Sequence, residues 1–403
     1  MRADTSPSEA WVWVGLILMA VGYLFNVPGL LGLAGLMAVL FGLAWIWDRF
    51  SLTDLTYRRR LHYRKGFAGE TTECEVTLDN RKLLPLLWLK INDAWPRVVG
   101  PSNENLLVAS HRDDLGSYEL LTSIRSFARL RRRFEITFRG RGVFQVGPAA
   151  AVSGDPFGLF IRRKESLTPA EKVVVYPRLR PLAPLGLAPD DPFGERPSRR
   201  RLFEDPTRPM GIRDYRPEDG FRRIHWPATA RMGKLQTRVF EPIRGLDLVV
   251  CLNASTYERY WEGTNPHVLE ALIETSASLV VDAFQRGYRV GLISNGSLAH
   301  AGQAFRIRPG RSSQHLPQLL EALAAVTPLV TAPFERFLLQ QAPALEFGSV
   351  LVVVTAITPD ALIESLLRLK ARSRRTILLS MAEEPPPSVR GVQCIHLPVG
   401  EPQ

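Results

Sequence analysis

The densest chemistry in the chain lies between Gly211 and Arg231. It reads Gly211-Ile-Arg-Asp-Tyr-Arg-Pro-Glu-Asp-Gly220, then Arg222-Arg-Ile-His-Trp226, then Ala228-Thr-Ala-Arg231. Arginines and acids alternate closely, with Tyr215 and Trp226 set among them. One reading is a ligand or partner surface, because Arg and Trp are typical interface anchors. Another is an internal clamp, in which Arg213, Arg223 and Arg231 pair with Asp214, Asp219 or Glu241. Such a clamp would fix an irregular segment whose backbone groups need side-chain partners. The two readings are compatible. A nucleic-acid surface is the third. Glu195 to Arg244 holds thirteen Lys and Arg against seven Asp and Glu, a net of +6. The acids are interspersed with the bases, which breaks up a phosphate-tracking stripe, and no nucleic-acid-binding motif is present. The expectation is no nucleic-acid partner.

Other catalytic signatures are missing from the sequence. It has no Gly-x-Ser-x-Gly elbow, no Gly-Lys-Ser/Thr phosphate loop, no Gly-x-Gly-x-x-Gly and no His-Glu-x-x-His. The seven histidines are scattered, and His225 has no Cys or Ser nearby to serve as its nucleophile. The expectation is therefore a protein that is not an enzyme and carries no cofactor. Cys74, Cys251 and Cys394 lie too far apart for a Cys-x-x-Cys metal site and form no disulfide framework. They point to a reducing compartment.

The elements that must position these residues begin with a membrane anchor. Of 403 residues, 45% are hydrophobic and 23% charged, with a formal charge of +11. Those averages exclude a collagen, a disordered tail protein and a multi-span transporter. They also conceal an uneven distribution. Trp11 to Val27 and Leu30 to Trp47 contain no charged side chain. As helices these stretches of 17 and 18 residues are ~25–27 Å long, at the short end of what a bilayer requires. Neither has a polar face to turn to water, as a helical hairpin of a soluble domain would. Trp11, Trp13, Trp45 and Trp47 sit at the outer ends, where interfacial aromatics belong. A cleaved signal peptide fits poorly, because Arg2 is the only basic residue before the first stretch and a second apolar stretch follows at once. Residues 1–50 thus read as a two-helix transmembrane anchor. Arg49, Arg58, Arg59, Arg60, Arg64 and Lys65 follow the second span, so the positive-inside rule puts this flank in the cytoplasm. The expected location is the inner (plasma) membrane, with two spans and the bulk of the chain cytoplasmic.

Residues 51–180 read as a β-rich, sandwich-like domain. Thr71 to Asp79, Leu86 to Asn92 and Phe127 to Phe138 have strand-forming composition and are separated by turn signals. Four arginines in Arg129–Arg133 read as a solvated strand face or a patch attracted to anionic lipid. Gly154-Asp-Pro-Phe-Gly158 is a tight turn, and Val173 to Tyr176 a short buried strand. Residues 181–245 hold the central motif, preceded by a segment rich in Pro, Asp and Arg that reads as linker through Pro209. From Leu246 strands and helices alternate. Asp247–Leu252, Tyr288–Ser294, Val350–Thr355, Arg375–Ser380 and Gln393–Pro398 are the strands. Val268–Gln285, Ser313–Val326, Pro333–Gln341 and Asp360–Arg372 are the helices. Apolar strands alternating with amphipathic helices imply a mainly parallel, two-sided sheet over residues 246–403.

With these motifs in view, the chain resembles the bacterial domain of unknown function 58 family. That family's pattern is an Arg-x-Tyr, a Gly-Asp pair, an Arg-x-Ile-x-Trp and a Thr/Ser-Ala-Arg. Here Arg213, Tyr215, Asp219, Arg222, Ile224, Trp226, Thr229, Ala230 and Arg231 supply it, with Arg223 beside them. Glu218-Asp219-Gly220 departs from the Gly-Asp pair. The Gly-Asp-Pro-Phe-Gly turn and Tyr176-Pro177 also match upstream, so the resemblance covers nearly the whole chain. It implies a C-terminal domain similar to the von Willebrand factor A domain, which can hold Mg²⁺ in a loop reading Asp-x-Ser-x-Ser. The matching stretch, Asn253-Ala-Ser-Thr-Tyr257, keeps only Ser255. Asn253 stands for the Asp, and the loop at Thr355 lacks a compact Asp-Gly. Mg²⁺ needs oxygen ligands and negative charge, so no metal is expected at these degenerate positions. The strand-end crevice could still bind a partner through Asn253, Ser255 and Thr355, with turn formation and helix capping as the structural alternative.

The resemblance also implies partnership with a MoxR-type AAA+ ATPase. The resulting expectation is a membrane-anchored cytoplasmic adaptor or scaffold, working with that ATPase in assembly or regulation of a client complex. The alternatives are a metal-assisted hydrolase using the strand-end loops and an envelope- or lipid-sensing module using the basic strands. The bilayer is the other expected partner, and the sequence sets no oligomeric state.

Overall fold

Two periodicities, one of 3.6 residues and one of two, build the first of two units. The units are Met1–Tyr176 and Pro177–Gln403. A computed structural model describes residues 7–110, 112–181, 204–216, 221, 224–242, 247–299, 301–346, 349–371 and 375–399.

The first unit opens with α1 (Pro7–Leu24) and α2 (Pro28–Ser51), joined by a turn in which Asn26 takes φ 55°. Pro28 starts α2, where its missing N–H costs nothing. At 24 residues α2 is about 36 Å long, and it is apolar enough to cross a bilayer. In α1 the apolar stretch described is shorter, Trp13–Leu24. Large apolar side chains on both helices, among them Trp13, Ile17, Leu36, Val39, Leu43 and Trp45, are exposed. The two helices pack on each other, and the start of α2 lies close over Gly22.

Twelve strands follow: β1 (Leu55–Leu61), β2 (Lys65–Phe67), β3 (Thr71–Asn80), β4 (Leu86–Pro96), β5 (Val99–Pro101), β6 (Leu107–Ala109), β7 (Leu115–Ile124), β8 (Arg129–Phe138), β9 (Gly142–Val146), β10 (Ala149–Gly154), β11 (Ile161–Thr168) and β12 (Glu171–Tyr176). They form sheets in the orders β1-β3-β8-β5, β11-β10-β4-β7-β6 and β2-β12-β9. All neighbouring pairs are antiparallel except β2 and β12. Alternation points Thr72, Cys74, Val76 and Leu78 of β3 inward, against Leu89, Ile91 and Trp95 of β4 and Ile136 and Phe138 of β8. One core therefore serves all three sheets.

The same alternation corrects one reading of the basic flank. On β1 the inward positions are Leu55, Tyr57, Arg59 and Leu61, so Arg59 is a core residue and not a juxtamembrane charge. Its side chain is 1% exposed, and its Nη1 lies 2.5 Å from Oδ1 of Asp93, itself fully buried. Tyr57 Oη (3.0 Å) and Trp95 Nε1 (3.1 Å) donate to the other Asp93 oxygen, and Arg59 Nη2 donates to the Pro169 carbonyl at 2.9 Å. Burial raises the Asp93 carboxyl above the usual carboxylate range against the pull of Arg59. Burial also raises the Tyr57 hydroxyl, and it pushes the Cys74 thiol up to about 12. Arg58 and Arg60 stay exposed on the outward phase. On β8, Arg129 pairs with Asp79 and Arg133 with Glu75, both on the surface.

In the second unit, β13 (Glu204–Asp214), α3 (Trp226–Met232) and β14 (Gln236–Pro242) come first. The expected linker through Pro209 therefore ends sooner, because Glu204 already pairs with Pro242. Register shifts fall on either side of Pro209, whose missing N–H interrupts the ladder. Then come β15 (Asp247–Leu252), α4 (Pro266–Gln285), β16 (Arg289–Ser294), β17 (Gly296–Leu298), β18 (Phe305–Gly310), α5 (His315–Ala325), β19 (Val326–Val330), α6 (Phe334–Gln341), β20 (Val350–Thr355), α7 (Asp360–Ala371), β21 (Arg375–Ser380) and β22 (Gln393–His396). The main sheet runs β18-β16-β15-β20-β21-β22 and is parallel except for β18, an antiparallel edge strand. Every residue of β15 and β20 is buried, as the two-sided sheet requires. Asn265 caps α4, accepting from the N–H of His267 and Val268. At the start of β15, burial pushes the Asp247 carboxyl up to about 6, although Arg289 Nε lies 3.3 Å away.

Candidate functional site

The central motif is carried by β13, β14 and α3. Pro217 to Gly220 and Arg222–Arg223 lie outside the described residues, so Asp219, Arg222 and Arg223 receive no structural account. The rest converges on Gln236, which is buried at the start of β14. Its side-chain amide donates to Asp214 Oδ1 at 2.6 Å, its N–H to Thr229 Oγ1 at 3.0 Å, and its carbonyl accepts from His225 N–H at 2.8 Å. Beside it, Tyr215 N–H donates to the Leu235 carbonyl at 2.9 Å, and Ile224 makes a bridge to Thr237. The last residues of β13 and the start of α3 are thus tied to one buried amide.

Local rules explain α3. His225 is its N-cap, Nδ1 accepting from Ala228 N–H at 3.1 Å. Pro227 fills the first turn, and Gly233 ends the helix at φ 65°, donating to the Thr229 carbonyl. His225 therefore has a capping role, and Thr229 a double one in helix and tie. Arg213 Nη1 donates to the Asp214 carbonyl at 3.1 Å, while Arg231 is exposed in the last turn of α3. Among the described residues the ties that fix this segment run through Asp214, Thr229, His225 and Gln236. Neither His225 nor Gln236 was singled out as a tie by sequence reasoning, and only the helix-start pattern at His225-Trp-Pro-Ala228 signals the first of them.

What the segment leaves outside is apolar. Trp226 is 64% exposed, Phe221 76% and Met232 65%, with Ile212 and Leu235 also exposed. Phe221 stacks on Tyr215, with ring centroids 6.0 Å apart. Arg216, Arg231, Lys234 and Arg238 are exposed on the same elements. An aromatic and aliphatic group with a basic surround is the composition of an interaction surface.

The second set of residues meets at the C-terminal ends of β15, β16 and β20. The strand order reverses between β15 and β20, and open α/β sheets bind ligands in the crevice at such a point. Asn253, directly after β15, donates from Nδ2 to Thr355 Oγ1 at 3.0 Å and accepts Ser255 N–H at 3.0 Å. Asn295, just past β16, completes the group. Its Nδ2 stands 3.2 Å from each of Asn253 Oδ1, Ser255 Oγ and the Ala332 carbonyl, and its Oδ1 accepts Ala254 N–H at 2.8 Å. All four side chains are buried.

Asn253, Ser255 and Thr355 are thus brought together, but by amide donors. A Mg²⁺ site would need these oxygens turned toward a cation with carboxylate charge beside them. Here amide NH₂ groups hold these oxygens, Asn295 Nδ2 those of Asn253 and Ser255 and Asn253 Nδ2 that of Thr355, and the cluster holds no carboxylate, so the donor set does not fit a resident divalent cation. Among the described residues no group of three His, Cys, Asp or Glu side chains is arranged to hold a metal. Above the cluster lies a cleft of about 180 Å³ lined by Glu258, Arg259, Trp261 and Glu335, among others. The sequence missed Asn295 because it lies 42 residues from Asn253 and belongs to no motif.

Comparison with known proteins gives the following. Residues 211–385 match the family described as "Protein of unknown function DUF58". The chain is 23% identical over 316 residues to the uncharacterized protein YeaD of Bacillus subtilis, covering 78% of this chain and 73% of that protein. Among solved structures, the CARDB domain of a Pyrococcus furiosus protein is 12% identical with a TM-score of 0.21, covering 30% of this chain and 92% of the domain. A cohesin module from a Clostridium perfringens glycoside hydrolase is 10% identical with a TM-score of 0.21, covering 30% of this chain and 97% of the module.

Proposed function

We propose that this chain, a DUF58 protein by the match over residues 211–385, is a membrane-anchored adaptor that docks a MoxR-type AAA+ ATPase on the exposed face of its central motif. In this reading α1 and α2 form a two-span hairpin in the inner membrane, and the rest of the chain is cytoplasmic. The ATPase supplies nucleotide hydrolysis, and the adaptor brings it to a membrane client. The α/β domain is von Willebrand factor A-like, a reading supported by its strand order and antiparallel edge strand.

The observation that carries the proposal is the exposure of Trp226, Phe221 and Met232 on a segment otherwise fixed by hydrogen bonds to the buried Gln236. Burying an exposed Trp or Phe in a partner's pocket is what produces an interface hot spot. The basic residues around them select a partner with an acidic rim. The choice of ATPase rests on the family resemblance and the charge on the surface.

The test is co-purification from detergent-solubilised membranes with an epitope-tagged MoxR-type ATPase from the same cells. Retention by the wild-type chain and loss with Trp226→Ala and Phe221→Ala, both still folded by circular dichroism, is the expected result. Equal retention by both variants would sink the docking role.

A further inference from the structure

We infer that the turn between β10 and β11 and the helical hairpin together form a binding site for an anionic phospholipid, which takes one acyl chain into an apolar crevice. The inference rests on the membrane reading above and on features of the first unit alone.

The turn, Asp155-Pro-Phe-Gly-Leu-Phe160, is built to hold apolar side chains outward. Asp155 is buried, and its carboxylate accepts Phe157 N–H at 2.7 Å and Phe160 N–H at 2.5 Å. Gly158 takes φ +74°, a conformation that favours glycine. At Gly154 an added Cβ would run into the Phe160 carbonyl oxygen, so the two ends of the turn close tightly. Both carboxylate oxygens are used within the loop, so Asp155 is a structural cap. Phe157 and Ile161 are exposed, unusual for a loop meant for water.

The loop lies against the membrane helices. Phe160 meets Phe41 edge-on, ring centroids 4.9 Å apart. Phe41 precedes Asp48 by seven residues, so the turn reaches about 10 Å along α2 from its polar end. Between turn and hairpin is a crevice of about 570 Å³ lined only by apolar residues, including Gly15, Met19, Met37, Phe41, Phe157 and Leu159. That volume is in the range of small-ligand sites. In a bilayer the only abundant molecule available to it is a lipid chain.

Charge selects the lipid. Where the turn rejoins the sheet, β11 carries Arg162, Arg163 and Lys164, all exposed. Arg162 is committed to Asp48 at the polar end of α2, with Nε and Nη2 at 3.1 and 3.0 Å from Oδ2. That pair pins β11 to the helix end. Lys164 shares the strand face of Arg162, and Arg163 presents the other face, so a phosphate at the helix end is met by Lys164 while its chain enters the crevice. One basic residue near a bilayer surface gives about a five-fold preference for anionic lipid.

The experiment is native mass spectrometry of the full chain in detergent, titrated with phosphatidylglycerol or phosphatidylcholine. Membrane fractionation of each variant is run in parallel. Wild type should retain phosphatidylglycerol about five-fold better. Arg163→Gln/Lys164→Gln should abolish the preference, and Gly15→Leu, placed where an added Cβ meets nothing within 4 Å, should abolish retention of both lipids. Equal retention of the two lipids by wild type, or retention unchanged in both variants, overturns the site while leaving the anchor intact. Recovery of the wild-type chain in the soluble fraction overturns the anchor and the site together.

Discussion

Removing Arg59 puts the first unit's architecture to a quantitative test. In Arg59→Met, Asp93 keeps the Tyr57 and Trp95 donors but loses its counter-charge at 2.5 Å, in a buried site. Leaving one member of a buried ion pair costs about 3–5 kcal/mol. For a domain of this size, that shifts a urea midpoint by about 2 M. The sign of the pH dependence follows from the carboxyl. Burial already raises Asp93, and without the guanidinium it rises further. A carboxyl raised in the native state binds protons there more readily than when unfolded, so the variant regains stability as pH falls toward that raised value. The deficit is therefore largest at pH 8 and shrinks toward pH 5. Arg59→Met/Asp93→Asn removes the stranded charge while keeping an acceptor for Tyr57 and Trp95, and it should recover part of the loss. Tyr57→Phe, which deletes one hydrogen bond to a charged group, should cost about 1.5–3 kcal/mol. The assay is urea unfolding of the full chain in detergent, followed by far-ultraviolet circular dichroism. A deficit under about 1 kcal/mol for Arg59→Met, a deficit flat with pH, or a double variant no better than the single one would refute the reasoning.

Three further outcomes follow from the same geometry. The raised pKa of Asp247, about 6 in the native state, makes stability fall as pH rises through roughly 4 to 6. Asp247→Asn should flatten that part of a melting-temperature profile, and an unchanged profile would exclude Asp247 as its source. Mg²⁺ or Mn²⁺ should leave the melting temperature of the wild-type chain unchanged, because amide donors already hold the oxygens of the Asn253 cluster; a cation-dependent rise abolished by Ser255→Ala would instead favour the metal-assisted hydrolase. Gly154→Ala places a methyl against the Phe160 carbonyl, and it should lower the melting temperature and expose the β10–β11 turn to protease. Wild-type behaviour in both would show that the turn tolerates opening.

How far the sequence reached depended on how local each signal was. The helices from α4 to α7 and the strands β15, β16, β20 and β21 were legible because the apolar pattern lies within each element. The first part of β13, through Pro209, was read as linker because the segment is rich in Pro, Asp and Arg, yet pairing with β14 overrides that signal. Edge strand β18 was missed, since Phe-Arg-Ile-Arg-Pro-Gly has only a short apolar signal. Arg59 was counted among membrane-flanking charges because its partner Asp93 is 34 residues away. At the central motif the residue types were visible, but the sequence could not say which point inward. The ties pass through Gln236 and His225, whereas Trp226 faces outward. At the strand ends, Asn253, Ser255 and Thr355 were legible as positions, and Asn295 was not.

The docking face is tested most directly by titrating a purified MoxR-type ATPase onto the full chain in nanodiscs and comparing two tryptophans. Trp226 on α3 and Trp261 at the strand-end cleft are almost equally exposed, at 64% and 69%. If the central motif is the interface, Trp226→Ala should weaken binding roughly 30-fold, the scale of a hot-spot residue, and Trp261→Ala should leave it unchanged. Wild-type affinity with Trp226→Ala, or a loss confined to Trp261→Ala, would contradict the account and move the interface to the end of the α/β sheet.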